Sequence, residues 1–141
     1  MRLFFDASAV LAACRSETGA SREILDAAGI NDWRLLSCPY AMIEVGRNVP
    51  KLGAPAVAVS QWLLPRLGLV DDVTVIDKPA VFQAGKDRPI LFTAYANAEV
   101  LITLDRRDFM AAIGRRFYHL DVLTPGEFLE RERMARRYIA S

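Results

Sequence analysis

Glu99-Val100-Leu101-Ile102-Thr103-Leu104-Asp105 is the clearest strand in the chain, an apolar, partly β-branched run that stops at an acid. Arg2-Leu3-Phe4-Phe5-Asp6 has the same form. A short apolar run ended by an acid suits a buried strand whose carboxyl end reaches the surface. Working outward, Ala7 to Cys14 reads as a helix that Ser8 is placed to cap, and Ser21 to Ala28 as a second helix ended by Gly29. Trp33 to Leu36 is the expected second strand. Pro39 sits where a first helical turn tolerates it, opening a helix to about Asn48. After the breaks at Pro50, Gly53 and Pro55, a helix is expected over Val57 to Leu67. Val73 to Ile76 is the expected third strand, followed by a short helix from Asp77 or Lys78. Asp87-Arg88-Pro89 starts a helix reaching about Asn97, and a short helix is expected near Arg107. Tyr118 to Leu123 is the last expected strand, and Pro125-Gly126 turns the chain into a terminal helix.

Strands alternating with helices imply an α/β fold, a parallel sheet covered on both faces. The expectation is a single domain over residues 1–141, a three-layer α/β/α sandwich with a central parallel sheet of four or five strands. In such sheets ligands collect outside the carboxyl ends of the strands.

Composition narrows the function. With 52% hydrophobic and 25% charged residues, the 141-residue chain has the balance of one globular domain rather than a disordered one. The net charge of +1 excludes a polyelectrolyte binder, so affinity for anions must come from local clustering. A single histidine, His119, excludes multi-histidine zinc sites and reads as a structural residue near the last strand. Cys14 and Cys38 have no paired-ligand spacing and read as small buried residues in a reducing cytosol. No run of 18 apolar residues suggests a membrane span, and the acid at position 6 comes too early for a signal peptide. A cytoplasmic location is expected.

The acids carry the chemistry. Asp6 and Asp105 follow strands that would end on the same sheet edge, where two carboxylates repel unless something positive lies between them. Glu44 stands in the apolar stretch Tyr40-Ala41-Met42-Ile43-Glu44-Val45-Gly46, and Asp87 opens a helix. Converging on one edge, the four would form an oxygen-ligand site for Mg²⁺ or Mn²⁺. Taken singly, each has a plainer reading: Asp87 a helix cap, Glu44 a solvated helix residue, Asp6 and Asp105 polar strand ends.

The order of these segments resembles that of PIN-domain ribonucleases. Asp6-Ala7-Ser8-Ala9-Val10-Leu11 resembles the family's opening, and Glu44 in the helix after the second strand resembles its second acid. Asp87-Arg88-Pro89-Ile90-Leu91 with Ala94 looks like the third-acid helix. Val100-Leu101-Ile102-Thr103-Leu104-Asp105-Arg106-Arg107-Asp108-Phe109 is similar to the fourth-acid strand and turn, and Leu123-Thr124-Pro125-Gly126-Glu127-Phe128-Leu129 to the closing segment. The resemblance spans nearly the whole chain, and its size looks most like VapC-type toxins of bacterial toxin–antitoxin pairs.

The resemblance implies a PIN-like fold and a metal-dependent endoribonuclease hydrolysing RNA phosphodiester bonds with Mg²⁺ (or Mn²⁺). Asp6, Glu44, Asp87 and Asp105 would be its catalytic, metal-site acids. Asp108 is a further candidate ligand, or else a helix cap before Phe109. Ser8 and Thr103 would orient a carboxylate or a water from beside the acids. Arg outnumbers Lys 15 to 3, and residues 106–141 carry a net charge of +3. Arg106, Arg107, Arg115 and Arg116 follow the fourth acid and are candidates for binding RNA phosphates, whereas Arg131 to Arg137 read as solvated ion-pair formers. An alternative is a catalytically inactive PIN-like module that binds RNA or a protein. Phosphoaspartate enzymes fit less well: a dehalogenase-type phosphatase needs an Asp where Ser8 stands, and a receiver domain needs paired acids where Asp6 is single. The expected partners are RNA, a second copy of the chain, and a small antitoxin. The protein contacts would lie in the helices between Pro39 and Gly68, where Trp62, Leu63, Leu64, Leu67 and Leu69 form a nearly continuous apolar run.

Overall fold

The computed structural model describes residues 1–77, 88–105 and 116–141. Within them, six strands form one sheet and six α-helices pack around it. The strands are β1 (Arg2–Phe5), β2 (Arg34–Ser37), β3 (Gly68–Leu69), β4 (Val100–Ile102), β5 (Arg116–Phe117) and β6 (Leu120–Leu123). Their order is β3-β2-β1-β4-β6-β5, with every neighbouring pair parallel except β5 and β6. The helices are α1 (Ala7–Arg15), α2 (Ala20–Ala27), α3 (Pro39–Asn48), α4 (Ala54–Leu63), α5 (Arg88–Asn97) and α6 (Pro125–Met134).

Side-chain alternation along the central strands divides the core in two. Leu3, Phe5, Val100 and Ile102 point to one face, where they meet Val10 of α1, Ile24 of α2, Leu63 of α4 and Phe128 of α6. Phe4, Leu36, Leu101 and Val122 point to the other and meet Ala41 of α3 and Leu91 of α5. Packed apolar side chains on both faces are what a three-layer arrangement requires.

Two strands differ from the expectation. Val73 to Ile76 is not a strand; the third strand is Gly68–Leu69, in register with Leu36 and Ser37 of β2. Gly68 fits there because it lies close against β2, where a Cβ would come within 3.2 Å of Leu36 Cδ2. The β-branched run packs instead on the α5 side, with the Val73 amide donating to Thr93 Oγ1 at 2.8 Å. The sheet also gains β5 at the far edge, for six strands rather than four or five. A two-residue turn at Tyr118-His119 joins β5 to β6, too short for a parallel crossover, so this pair runs antiparallel. The helices expected after Asp77 and near Arg107 fall outside the described residues. No helix among the described residues is long and apolar enough to cross a membrane.

Candidate active site

The carboxyl ends of β1, β4 and β6 lie side by side: the Asp6 amide donates to Ile102 O, and the Thr103 amide to Leu123 O. Asp6 is the first residue beyond β1 and the N-cap of α1. Its side chain is only 5% exposed and is held at both oxygens. Oδ1 accepts from the Ala9 amide at 3.0 Å and from Ser8 Oγ at 2.6 Å, while Oδ2 accepts from Thr103 Oγ1. The cap expected of Ser8 is therefore supplied by Asp6, the residue with the extended backbone that a cap needs.

Ser8 and Thr103 tie the carboxylate to the loop after β4. Ser8 Oγ accepts from the Leu104 amide at 2.9 Å, and Thr103 Oγ1 accepts from the Asp105 amide at 2.9 Å. Thr103 is fully buried. A hydroxyl both donates and accepts, so these two residues hold Asp6 while also fixing the backbone that carries Asp105.

Burial pushes the Asp6 carboxyl up to about 6, against the pull of the bonds from Ser8, Thr103 and Ala9; the negative charge of Asp105 adds a smaller upward push. Asp105 itself is exposed, and so is Glu44 on α3. All three acids line one cleft of about 610 Å³ between the sheet edge and α3. Tyr40, Arg47 and Asn48 of α3 and Ile90 of α5 complete much of its wall. Arg47 and Asn48 were not anticipated as site residues. Their signal is helical spacing, since they lie three and four residues after Glu44 and so share its face. Asn48 Nδ2 donates to the Glu44 carbonyl at 2.8 Å.

Other candidates fall elsewhere. Asp87, Asp108, Arg106, Arg107 and Arg115 lie outside the described residues. Arg116 is not part of the cleft wall: it is exposed on the edge strand β5, where its Nε donates to Tyr118 O at 3.0 Å and lies 3.7 Å from Asp121. His119 is also away from the cleft, with Nε2 at 3.1 Å from Ala98 O and its ring 4.8 Å from that of Tyr95.

Among the described residues, no three Asp, Glu, His or Cys side chains stand close enough together to cage a metal ion. The donor chemistry nevertheless fits a hard divalent cation in part. Asp6, Glu44 and Asp105 offer carboxylate oxygens to one space, and Asp6 Oδ2, with one described hydrogen-bond donor, keeps lone-pair capacity. A cation there would also relieve the cost of ionising a buried carboxylate.

The chain matches no protein-family model, no curated protein and no solved structure.

Proposed function

We propose that the chain is a metal-dependent endoribonuclease with a PIN-like architecture, hydrolysing RNA phosphodiester bonds as the toxin of a toxin–antitoxin pair in the cytoplasm. The observation that carries this reading is the cleft at the carboxyl edge of the sheet, where buried Asp6 shares one space with Glu44 and Asp105. When bound, Mg²⁺ or Mn²⁺ lowers the pKa of water and offsets charge on the phosphate oxygens. The chain's own contribution is positioning. Ser8, Thr103 and the Ala9 amide fix both Asp6 oxygens, so this carboxylate needs little reorganisation to bind a cation. Glu44 and Asp105 add negative charge from the opposite wall and the rim. In the reading taken from the resemblance, Asp87 and Asp108 complete the acidic set; Arg106, Arg107 and Arg115, which follow the fourth acid in the sequence, would bind the RNA backbone. Arg47, exposed on the cleft wall, would offer a guanidinium to a phosphate bound there.

The partners belong to the same proposal. Ile43, Trp62 and Leu69, each about half exposed, lie on the segment assigned to a second copy or an antitoxin. The apolar run there is narrower than its sequence suggests, because Leu63 and Leu67 are buried in the core.

Incubation of the purified protein with a mixed RNA pool tests the activity. Cleavage with added Mg²⁺ or Mn²⁺, abolished by chelator and by Asp6→Asn or Asp105→Asn, is the expected result. RNA binding with no cleavage under any metal would favour the inactive module instead. Cleavage that survives both substitutions would remove the acids from the mechanism.

A further inference from the structure

A second cavity, of about 510 Å³, opens between α1, α2 and α4. Its notable wall residue is Arg22, whose side chain belongs to α2 and is only 6% exposed. Arg22 Nε donates to the Ala13 carbonyl of α1 at 3.1 Å, and the guanidinium carbon lies 4.8 Å from the Trp62 ring centroid. These two contacts hold the guanidinium in one orientation. Among the described residues, no hydrogen bond engages Nη1 or Nη2 and no carboxylate pairs with this arginine. Glu17 lines the same cavity without forming an ion pair with it. The neighbouring Arg66 is different: it also lies over Trp62, but it is paired with Asp26 at 3.5 Å and donates to Leu25 O.

A buried cation is ordinarily paired, because desolvation without a counter-charge is costly. Here the side of the fork without a partner borders an open cavity. Two parallel N–H groups match the two oxygens of a carboxylate. The charged residues of the wall are Arg15, Arg22 and Glu17, leaving one net positive charge, which suits a monoanion better than a phosphate dianion. The rest of the wall includes Pro55, Val59 and the Trp62 ring, apolar surface for a hydrocarbon body. The volume lies in the range of small-molecule sites.

We propose that this cavity binds a small organic monocarboxylate, its carboxylate forked onto Arg22 and its apolar body laid against Val59, Pro55 and Trp62. The site shares no residue with the acidic cleft and does not depend on the nuclease reading.

Hexanoate is the probe, titrated against the full chain. Tryptophan fluorescence and thermal melting are the readouts, with hexanol and inorganic phosphate as comparison ligands. The chain has two tryptophans, and Trp33 is buried against Phe128 and Tyr138, so the fluorescence change should vanish in Trp62→Phe while the melting shift remains. The expected result is saturable binding of hexanoate, with hexanol at least roughly tenfold weaker for want of the charged hydrogen bonds, and no response to phosphate at the same concentrations. Arg22→Gln should abolish the response. Should that variant fail to fold, Val59→Phe, which keeps the arginine and fills the cavity, should abolish it too. Absence of saturation, an equal response to hexanol or phosphate, or binding that survives a folded Arg22→Gln or Val59→Phe variant would overturn the proposal.

Discussion

Asp6 ionises at a cost that the fold imposes on it. Its carboxyl is pushed up from the ordinary 3.8 to about 6, chiefly by burial. Between those two values the folded chain holds a proton that the unfolded chain has released, so stability falls as pH rises through this window and levels off above it. At about 1.4 kcal/mol per unit the full penalty is on the order of 3 kcal/mol. Asparagine keeps an acceptor for Ser8 and the Ala9 amide but carries no charge. Asp6→Asn should therefore be more stable than the parent at pH 8, by about 1–3 kcal/mol, and nearly equal to it at pH 4. Urea unfolding at the two pH values measures this directly. Under the proposed function the same substitution removes cleavage, so stability and activity would move in opposite directions. A destabilised variant at pH 8 would show that the hydrogen bonds to the carboxylate outweigh its burial.

At the scale of elements, local chemistry sets most of the boundaries. Pro39, Pro55 and Pro125 each sit in the first turn of a helix, where a missing amide costs little. α6 carries the strongest such signal. The Thr124 side chain accepts from the Glu127 amide at 3.2 Å, and Glu127 Oε1 accepts from the Thr124 amide at 2.9 Å. Thr124→Ala breaks this reciprocal pair and should cost about 1 kcal/mol. A fall in melting temperature of several degrees is expected, with metal-dependent cleavage retained, since α6 contributes nothing to the acidic cleft. α1 is capped as firmly, but by a carboxylate that also belongs to the candidate site. A cap substitution there cannot separate stability from function, whereas at α6 it can.

For the whole molecule, the segment after α6 acts as a strap. Tyr138 stacks near Trp33 at 6.1 Å and donates to Glu23 at 2.6 Å, where Arg133 from the last turn of α6 also pairs, and the Ile139 amide donates to Asn31 Oδ1 at 2.8 Å. Arg137 Nη2 reaches Glu132, which is 1% exposed, at 2.6 Å. Removing residues 135–141 leaves Glu132, among the described residues, with only Arg131, whose Nε lies 3.6 Å away. The truncation should lower stability, mainly because a buried carboxylate loses its better partner. Chemical denaturation of the shortened chain checks it, and an unchanged unfolding midpoint would mean that the strap adds nothing to stability. Metal binding has its own global readout. Mg²⁺ or Mn²⁺ bound only to the folded state should stabilise the chain by about 2.7 kcal/mol at a hundredfold excess over its dissociation constant. Chelator should reverse the shift, and Asp6→Asn should shrink it. A flat melting curve at millimolar metal would speak against the cation site.

What could be read in advance rests on neighbours along the chain. The apolar runs Leu3-Phe4-Phe5 and Val100-Leu101-Ile102 are strands, Pro39 opens a helix, and Arg131, Arg133 and Arg137 form ion pairs, as their sequence patterns indicate. The placement of Asp6 and Asp105 beyond adjacent parallel strands follows from the same runs. Other features depend on partners distant in the chain. Ser8 is drawn from capping to hold Asp6 because Thr103 and the Leu104 amide, about a hundred positions away, arrive beside it. The edge of the sheet goes to Gly68 and Leu69 rather than to the more β-prone Val73-Thr74-Val75-Ile76, and the close approach of Gly68 to Leu36 of β2 is a contact distant in the chain. Arg22 has an ordinary helical context, and its burial against Trp62, with Nη1 and Nη2 unbonded among the described residues, appears only once α2 and α4 both pack on α1. Propensity and periodicity act over a few residues and so are written in the sequence. Which groups lose their water, and against what, is decided by packing alone.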